Sequence, residues 1–354
     1  MKKTNFKFDV MIIYDAISAY SAADLVYHES APFAAQGHYF NCNACYEYFI
    51  KYCQQQNLSA AFTTTKDINA KGQFKSFWTY NKQWQRHSAM ASAKVIFDKF
   101  SNLTPRNCRA RLLLTSARIP VPIFHNQAMR ILFDDKLKTY LRFPHYGIPT
   151  VKVSPLNKTG LLKAKNTLQT LCTQHPYHED FQTDFVLKDQ FGMGGNNIFK
   201  IAANEKSSTV PKKTAAHYVL QPFIQASGFT MAHCTRNSDL RIIICNNKII
   251  QSYLRIAKTG EFRANAVQGG KVVYLKLNQI PLDVKNMAKK IQKKLPSKTA
   301  LYALDFIKSK KGHLYFIEGN NRPGLIWFDR EDEKRAKQLI HLVVKNLKKL
   351  IVKS

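Results

Sequence analysis

Acidic residues are scarce in this chain of 354 residues, which contains 23 Asp and Glu against 54 Lys and Arg. The formal net charge of +31 creates a long-range field that attracts anions such as nucleotides, acidic peptides and nucleic acid. A lysine-rich surface whose like charges are simply solvated has an equally high net charge without any anionic partner. The charge by itself therefore leaves both interpretations open.

Long apolar runs and a cysteine framework are also missing. No apolar run approaches the ~18 residues of a transmembrane helix. Asp9 and Asp15 interrupt the apolar stretch behind the basic N-terminal residues, which argues against an export signal. The seven cysteines show no framework spacing, and no second pair accompanies Cys42-x-x-Cys45 and Cys53 to complete a metal site. We therefore expect reduced cysteines, a cytoplasmic location and no membrane partner.

Strand patterns alternate with helical patterns along a chain that is 45% hydrophobic and 12% aromatic, as in globular proteins. Short apolar runs predict strands at residues 8–14, 60–64, 151–153, 185–188, 198–201, 218–224, 239–245, 248–255, 271–277, 303–307 and 314–317. Helical spacing predicts helices at residues 39–53, 134–145, 156–172, 284–295 and 331–352. We predict an α/β (α+β) protein with an N-terminal α/β domain at residues 1–125 and a second domain at residues 126–354.

The last predicted hairpin carries two carboxylates and one amide in an otherwise apolar sequence. Asp305 lies four residues before the turn at 309–312 and Glu318 six residues after it. The two can face each other across the hairpin within a residue or two of register. Asn320 shares a strand face with Glu318. Such oxygen ligands suit Mg²⁺, and the alternative is a pair of surface carboxylates near basic residues.

Two further segments carry groups that could contact phosphate. Lys188 ends a predicted strand just before the glycine-rich loop at residues 192–196, whose N–H groups could bind an anion. A plain turn is the alternative. Asp239, Arg241 and Arg255 lie on one predicted hairpin, where they form either a cross-strand ion pair or an arginine clamp on a transferring phosphate. Arg263 and Asn265 extend this basic, polar edge.

Seven segments occur in a characteristic order and spacing. They are Asp135-Lys136-Leu137; Gly147-Ile148-Pro149-Thr150; Val186-Leu187-Lys188 with Gly192-x-Gly194-Gly195; Leu220-Gln221-Pro222-Phe223-Ile224; Asp239-Leu240-Arg241; Arg255 with Gly260-Glu261-Phe262-Arg263-x-Asn265 and Gly269-Gly270; and Ala303-Leu304-Asp305 with Ile317-Glu318-x-Asn320 and Pro323-Gly324. Together, over residues 126–321, they resemble the ATP-grasp superfamily. The likeness is to its branch of glutathione synthetases and ribosomal-protein glutamate ligases.

The resemblance implies an ATP-grasp fold behind an N-terminal α/β domain, with a lid subdomain at about residues 150–222. It also implies an ATP-dependent ligase that forms a C–N bond through an acyl phosphate, with MgATP between two lobes. By this resemblance, the ATP phosphates are bound by Lys136 (or Lys138), Lys188, Gly192, Gly194 and Gly195, and adenine is bound by Gln221, Pro222, Phe223 and Ile224. Asp239 and Arg241 belong to the nucleotide site, Arg255 contacts the γ-phosphate, and Arg263 and Asn265 contact the acyl phosphate. Two Mg²⁺ (or Mn²⁺) ions are bound by Asp305, Glu318 and Asn320. Pro222 stands where many relatives carry an acidic residue, so the ribose contact is unassigned.

The implied partners are ATP, a carboxylate substrate and an amine substrate. An acidic peptide or protein tail is one candidate substrate. The chain is also a candidate for assembly into a homo-oligomer. Two other functions stay open. One is a basic protein that binds nucleic acid or a ribosome, although no nucleic-acid-binding motif is visible. The other is an inactive nucleotide sensor of the same fold, against which the complete set Asp305, Glu318 and Asn320 argues. The sequence does not separate a small-molecule acceptor from a protein acceptor.

Overall fold

A computed structural model describes residues 5–24, 30–36, 39, 41–69, 72–101, 104–116, 121–192, 194–195, 197–202, 217–229, 237–261, 270–296 and 300–353. The chain divides into two compact units: unit 1 comprises Met1–Asn126 and Gly324–Ser354, and unit 2 comprises Gln127–Pro323. The C-terminal residues thus group with unit 1, whereas the sequence interpretation placed them in the second domain. Among the described residues, no helix combines the length and apolar character needed to cross a membrane.

Unit 1 is built on a five-stranded sheet with the order β4-β3-β2-β1-β5. Its elements are β1 (Asn5–Tyr14), α1 (Cys42–Gln55), β2 (Ala60–Thr64), β3 (Phe77–Asn81), β4 (Gln83–His87), β5 (Met90–Asp98), α2 (Pro105–Thr115) and α7 (Arg330–Lys353). Strands β2 and β5 pair with β1 in parallel, which buries the apolar centre of β1 on both faces. The predicted α/β class of this region is confirmed.

Helices α1 and α7 pack together, and this contact explains why the C-terminal residues belong to unit 1. The ring of His341 on α7 stacks on Tyr52 with centroids 3.9 Å apart, and its Nε2 lies 2.7 Å from the hydroxyl of Tyr48. The opposite side of α1 buries its cysteines, and burial raises the pKa of the Cys42 and Cys53 thiols to about 12. These two thiols are therefore neutral packing groups.

Unit 2 contains two antiparallel sheets. Its elements are α3 (Gln127–Phe133), α4 (Lys136–Arg142), β6 (Val151–Val153), α5 (Lys158–Thr173), β7 (Phe181–Asp189), β8 (Ile198–Ile201), β9 (Tyr218–Ile224), β10 (Ser238–Cys245), β11 (Lys248–Ile256), β12 (Lys271–Leu275), α6 (Leu282–Lys293), β13 (Leu301–Lys308) and β14 (Leu314–Asn320). The smaller sheet has the order β6-β9-β7-β8 and the larger one β12-β11-β10-β13-β14.

The larger sheet of unit 2 has one apolar and one charged face, because its strands alternate the two kinds of residue. Leu240, Ile242, Leu254 and Phe306 point to the apolar side, where they join a buried cluster with residues of α3 and α6. The intervening positions carry acids and arginines. This alternation turns the charged residues of four neighbouring strands toward one side of the sheet.

Most predicted elements of unit 2 are confirmed, and one further helix, α3, was not predicted. The strands predicted at residues 151–153, 198–201 and 218–224 have the predicted bounds. The helix predicted at 134–145 is present as the shorter α4, and α3, which lies directly before it, was not predicted. The carboxylate of Asp135 caps α4 by accepting hydrogen bonds from the N–H groups of Leu137 (3.0 Å) and Lys138 (3.1 Å).

Gly319 lets β14 lie directly on α3. A Cβ added at Gly319 would lie 2.6 Å from Cγ of Phe133, well inside van der Waals contact. We expect Gly319→Ala to lower the free energy of unfolding by about 1–3 kcal/mol, the usual cost of overpacking. Gly324→Ala is the matched control, since its Cβ would meet no described atom within 4 Å. Equal urea midpoints for the two variants would contradict this packing.

Candidate active site

A cavity lies between the smaller sheet and the charged face of the larger sheet of unit 2. It encloses about 1070 Å³, including its open mouth. The residues that line it are Lys136, Ile148, Val186, Lys188, Gly192, Gly194, Gly195, Ile198, Gln221, Pro222, Phe223, Ile224, Ala226, Asn237, Ser238, Asp239, Arg255, Ile307, Ile317 and Glu318. Aliphatic and aromatic walls are thus combined with three cations, two carboxylates and a glycine loop.

The cavity gathers most, though not all, of the residues predicted for the nucleotide site. Those that line it are Lys136, Lys188, Gly192, Gly194, Gly195, Gln221, Pro222, Phe223, Ile224, Asp239, Arg255 and Glu318. Three others, Arg241, Asp305 and Asn320, are not among its lining residues. Arg263 and Asn265 lie outside the described residues, so their roles stay predictions.

A β-bulge puts the two hairpin carboxylates in register. From the turn inward, Phe306 pairs with Phe316, but the next residue, Asp305, pairs with Glu318. Ile317 is therefore the extra residue on β14. Because a bulge turns neighbouring side chains toward one side, Ile317 and Glu318 both line the cavity. The predicted pairing of Asp305 with Glu318 is confirmed.

Asp305 is fully buried behind the cavity wall, where two arginines hold it. Arg241 donates to both of its oxygens, Nε to Oδ1 and Nη2 to Oδ2, each at 2.6 Å. Arg255 donates from Nη2 to Oδ2 at 2.7 Å. Burial opposes ionisation of Asp305, but the two guanidinium groups outweigh it and hold its pKa below the usual range. The side chain is therefore an ionised partner shared by two buried cations.

Arg255 also forms the cross-strand ion pair that the sequence offered as one alternative. It faces Asp239 in the β10–β11 register and donates to both of its oxygens, at 2.6 and 2.9 Å. Arg241 faces Asp305 in the β10–β13 register. Two aspartates and two arginines thus form one buried, electrically balanced cluster, and Arg255 and Asp239 are its members at the cavity wall.

Lys136 lies at the first position of α4 and reaches the glycine loop. Its N–H donates to the carbonyl of Gln190 at 3.0 Å, and its ammonium donates to the carbonyl of Gly192. Gln190 in turn donates to the capping carboxylate of Asp135 at 2.9 Å. Lys138 points elsewhere, with its ammonium 3.9 Å from Asp135 and largely exposed. The geometry therefore favours Lys136 over Lys138 as the cation near the loop.

Lys188 is the second cation beside the loop, and its surroundings weaken its charge. Burial, with a smaller contribution from nearby Lys136, lowers the pKa of its ammonium to about 8, although Glu318 and Asp239 partly oppose the shift. An anion in the cavity would reverse this effect by favouring the charged ammonium. The side chain would therefore gain a proton when an anion enters the cavity.

We expect the affinity for ATP to fall as the pH rises above about 8. Above that pH the folded, empty protein holds Lys188 as a neutral amine, so phosphate binding must also take up a proton, which weakens it by up to about tenfold per pH unit. Calorimetric titration of ATP across this range measures the slope. Lys188→Arg is the control, because a guanidinium stays charged throughout; equal slopes in both proteins would contradict the assignment.

Strand β9 forms the wall opposite the charged residues. Gln221 donates from Nε2 to the hydroxyl of Thr150 at 2.8 Å, and its buried Oε1 has no partner among the described residues. Pro222 pairs with Phe185 of β7, beyond the point where β6 stops pairing with β9. At Pro222 the strand therefore has a neighbour on one side only, where a residue without an N–H is tolerated.

The hairpin donors fit Mg²⁺ in their chemistry, since all three are oxygen ligands. The carboxylate of Glu318 lines the cavity and forms no hydrogen bond or ion pair with a described residue. Asp305 accepts one hydrogen bond at Oδ1 and two at Oδ2, which leaves acceptor capacity at Oδ1. Asn320 accepts one bond at Oδ1, from the N–H of Arg322 at 2.8 Å. Of the three predicted ligands, Glu318 is thus the one that lines the cavity.

The sequence interpretation missed part of the apolar wall and one anchoring contact. Ile198, Ile307 and Ile317 line the cavity from three strands, and each resembled an ordinary core residue of its strand. Asp180, just before β7, accepts hydrogen bonds from the hydroxyl of Tyr315 of β14 (2.8 Å) and from His313, which precedes that strand (2.9 Å). This contact anchors the smaller sheet to the larger one beside the cavity. Asp180 and Tyr315 lie more than 130 residues apart in the sequence, so no local sequence pattern predicts their contact.

Comparisons with known proteins agree with this architecture. Residues 134–343 match the model of the RimK-like ATP-grasp domain. A probable alpha-L-glutamate ligase of Legionella pneumophila (strain Corby) is 31% identical over 143 residues, which are 40% of this chain and 43% of that protein. One of Haemophilus influenzae (strain Rd) is 31% identical over 137 residues, 37% and 41% of the two chains. The chain thus matches less than half the length of these relatives.

Solved structures resemble the chain over nearly its whole length. D-alanyl-alanine synthetase A from Vibrio cholerae superimposes with a TM-score of 0.59 at 12% identity and covers 99% of both chains. A RimK domain protein ATP-grasp from Sphaerobacter thermophilus gives a TM-score of 0.55 at 11% identity, covering 96% of this chain and 99% of that one. At such low identity the likeness concerns the fold, which is the predicted ATP-grasp fold.

Proposed function

The chain belongs to the RimK-like ATP-grasp family, and from this premise we propose that it is an ATP-dependent ligase that joins a carboxylate to an amine. One observation carries the proposal: a single cavity combines an apolar slot, two lysines beside a glycine loop and the carboxylate of Glu318. These are the groups needed to hold a purine, a polyphosphate and its counter-ion together.

We place the nucleotide along the smaller sheet. Its base would lie in the slot beside β9, where the strand's backbone could contact the edge of the adenine and Phe223 and Ile224 form part of the wall. The phosphates would contact Lys136, Lys188 and the N–H groups of the glycine loop. Asn237 lines the same cavity and carries a polar amide, so we assign it to the ribose, for which the sequence offered no residue.

Glu318, Asp305 and Asn320 would hold one or two Mg²⁺ ions against the phosphates. Bound there, magnesium would offset the negative charge of the polyphosphate and orient it. Arg255 is the cation of the buried cluster that lies at the cavity wall, and we assign it to the γ-phosphate. Asp239 and Asp305 hold its guanidinium in a fixed orientation before any ligand binds, which limits the reorganisation needed during reaction.

In the proposed reaction, a carboxylate oxygen of the first substrate attacks the γ-phosphorus, and the bond to ADP breaks. The amine then attacks the acyl carbon, the C–N bond forms, and inorganic phosphate leaves with one oxygen of the original carboxylate. The side chains position the reactants and balance charge, and no protein nucleophile is needed. Closure of the glycine loop would exclude water from the acyl phosphate.

The substrates are proposed more coarsely than the reaction. Because the curated relatives bear the name glutamate ligase, we take L-glutamate as the first amine to test. The first carboxylate to test is that of an acidic peptide, which the chain's net charge of +31 would attract. The cytoplasmic location and a homo-oligomeric state stay predictions.

Oxygen transfer tests the proposed reaction directly. The protein is incubated with MgATP, L-glutamate and a panel of peptides or amino acids whose carboxylates carry ¹⁸O, and released phosphate is analysed by mass spectrometry. We expect ADP release that requires both substrates, with one ¹⁸O in each phosphate. Release of ADP with unlabelled phosphate would indicate simple ATP hydrolysis. Nucleotide binding without ADP release on any substrate would favour the sensor function.

A further inference from the structure

A second cavity lies in unit 1, at the carboxyl end of β2 and beside the first turns of α2. It encloses about 850 Å³, including its open mouth. Its lining residues are Thr65, Lys66, Ile68, Asn69, Lys75, Arg106, Arg109, Ala110 and Leu113. Four of these nine residues are cationic and none is acidic. The cavity of unit 2 shares none of them.

Three of the four cations have no counter-charge among the described residues. Lys66 forms an ion pair with Asp24. Lys75, Arg106 and Arg109 form no side-chain hydrogen bond or ion pair with a described residue. Within this region of the chain, the cavity therefore has a local excess of positive charge.

The neighbouring arginine on the same helix shows that this excess is not a general property of α2. Arg111 is buried and forms an ion pair with Asp98 at the end of β5. Carboxylates are scarce in this chain, and those near α2 are engaged with buried groups: Asp15 accepts a hydrogen bond from Asn107 at 2.7 Å. Arg106 and Arg109 are left facing a concave surface, where like charges repel and their field is concentrated.

The place of the cavity in the fold favours ligand binding. In open sheets with parallel strands, ligands bind outside the carboxyl ends of the strands. Here Thr65 and Lys66 follow β2 directly, and a neighbouring cavity at the end of β1 shares Lys66 and Arg106. Arg106 and Arg109 are three positions apart on α2, so they lie on one helix face and can grip one ligand together.

We propose that the unit 1 cavity binds a small anion with at least two oxyanion groups. Arg106 and Arg109 would bind one group in bidentate fashion, as guanidinium groups bind phosphate or carboxylate. Lys75 would bind the second group. Ile68, Ala110 and Leu113 form an apolar floor that suits a compact ligand. The proposal does not depend on ligase activity, because no residue of the unit 2 cavity takes part.

Calorimetric titration with tripolyphosphate, without magnesium or nucleotide, tests the proposal. The titration is made on Lys188→Gln protein, in which phosphate binding in unit 2 is weakened, and on the same protein carrying Arg106→Gln and Arg109→Gln. We expect the added substitutions to weaken binding by about 100-fold, as for loss of two charge-assisted hydrogen bonds. Lys289→Gln with Lys293→Gln on α6 removes the same charge from an exposed helix face and should change the affinity less than about twofold.

Three outcomes would overturn the proposal. Equal losses of affinity in both double variants would show that the binding of tripolyphosphate depends on net charge alone. Absence of binding to tripolyphosphate and to citrate would show that the cavity binds no small oxyanion. Tighter binding of a duplex oligonucleotide than of tripolyphosphate, lost in the α2 double variant, would make this a nucleic-acid surface. Comparison of citrate with tripolyphosphate shows whether carboxylates or phosphates are preferred.

Discussion

Glu318→Gln is expected to lower the rate of magnesium-dependent ADP release by about 10³-fold or more, the scale of several kcal/mol of charge stabilisation. The substitution keeps the size of the side chain and removes only its negative charge. The carboxylate of Glu318 lines the cavity and has no hydrogen bond or ion pair with a described residue. We therefore expect the thermal midpoint of the variant to stay within about 2 °C of the parent protein, as for a change of less than about 0.5 kcal/mol.

The control for Glu318→Gln is Glu333→Gln on α7. It removes the same charge from a half-exposed ion pair with Lys337, where little stability or activity depends on it. Both variants are assayed for ADP release at a series of magnesium concentrations, and circular dichroism verifies their folding. Normal turnover by Glu318→Gln would remove this residue from the metal site. A lowered thermal midpoint would instead show a structural role.

The pairing of the two hairpin carboxylates shows how far a sequence can locate a site. Counting residues from the turn predicts that Asp305 and Glu318 meet within a residue or two. The structure brings them into register with a bulge at Ile317. An apolar residue beside a carboxylate carries no local signal of a bulge, because the choice depends on packing across both faces of the sheet. The pair was predictable, whereas the turning of Ile317 into the cavity was not.

The strands missed in unit 1 have a similar physical cause. Strand β4 lies at the edge of the sheet and has Trp84 as its one apolar residue, so it has no apolar run. Strand β5 begins with small residues and becomes apolar only near its end, yet all of it pairs beside β1. Runs of apolar residues predict strands that are buried on both faces. They do not predict strands whose place is set by a neighbour far along the chain.

The buried cluster of the larger sheet explains why Asp305 is more than a predicted metal ligand. Asp305 is a shared partner of Arg241 and Arg255, and its removal leaves two buried guanidinium groups without that carboxylate. We expect Asp305→Ala to lower the free energy of unfolding by about 3–5 kcal/mol, the usual cost of breaking a buried ion pair from one side. Equilibrium urea unfolding, followed by circular dichroism, measures this loss.

Acid unfolding provides a second measure of Asp305; Asp239, whose pKa is raised by burial, has the opposite pH dependence. Because the arginines hold the pKa of Asp305 below its usual value of 3.8, the folded protein binds fewer protons there than the unfolded chain at low pH. The stabilisation is present above that value and is lost as the pH falls through the depressed pKa. Asp305→Ala should therefore lose less stability than the parent protein on acidification.

Substitutions that change both sides of the cluster separate its structural role from metal binding. If loss of the ion pair causes the instability, Arg241→Met combined with Asp305→Leu should recover part of the lost stability, since apolar residues often replace buried ion pairs at little cost. The combined variant still lacks the carboxylate, so ADP release should remain low. Full stability of Asp305→Ala alone would contradict the ion-pair role. Recovery of activity along with stability in the combined variant would show that the reaction needs neither the Asp305 carboxylate nor Arg241.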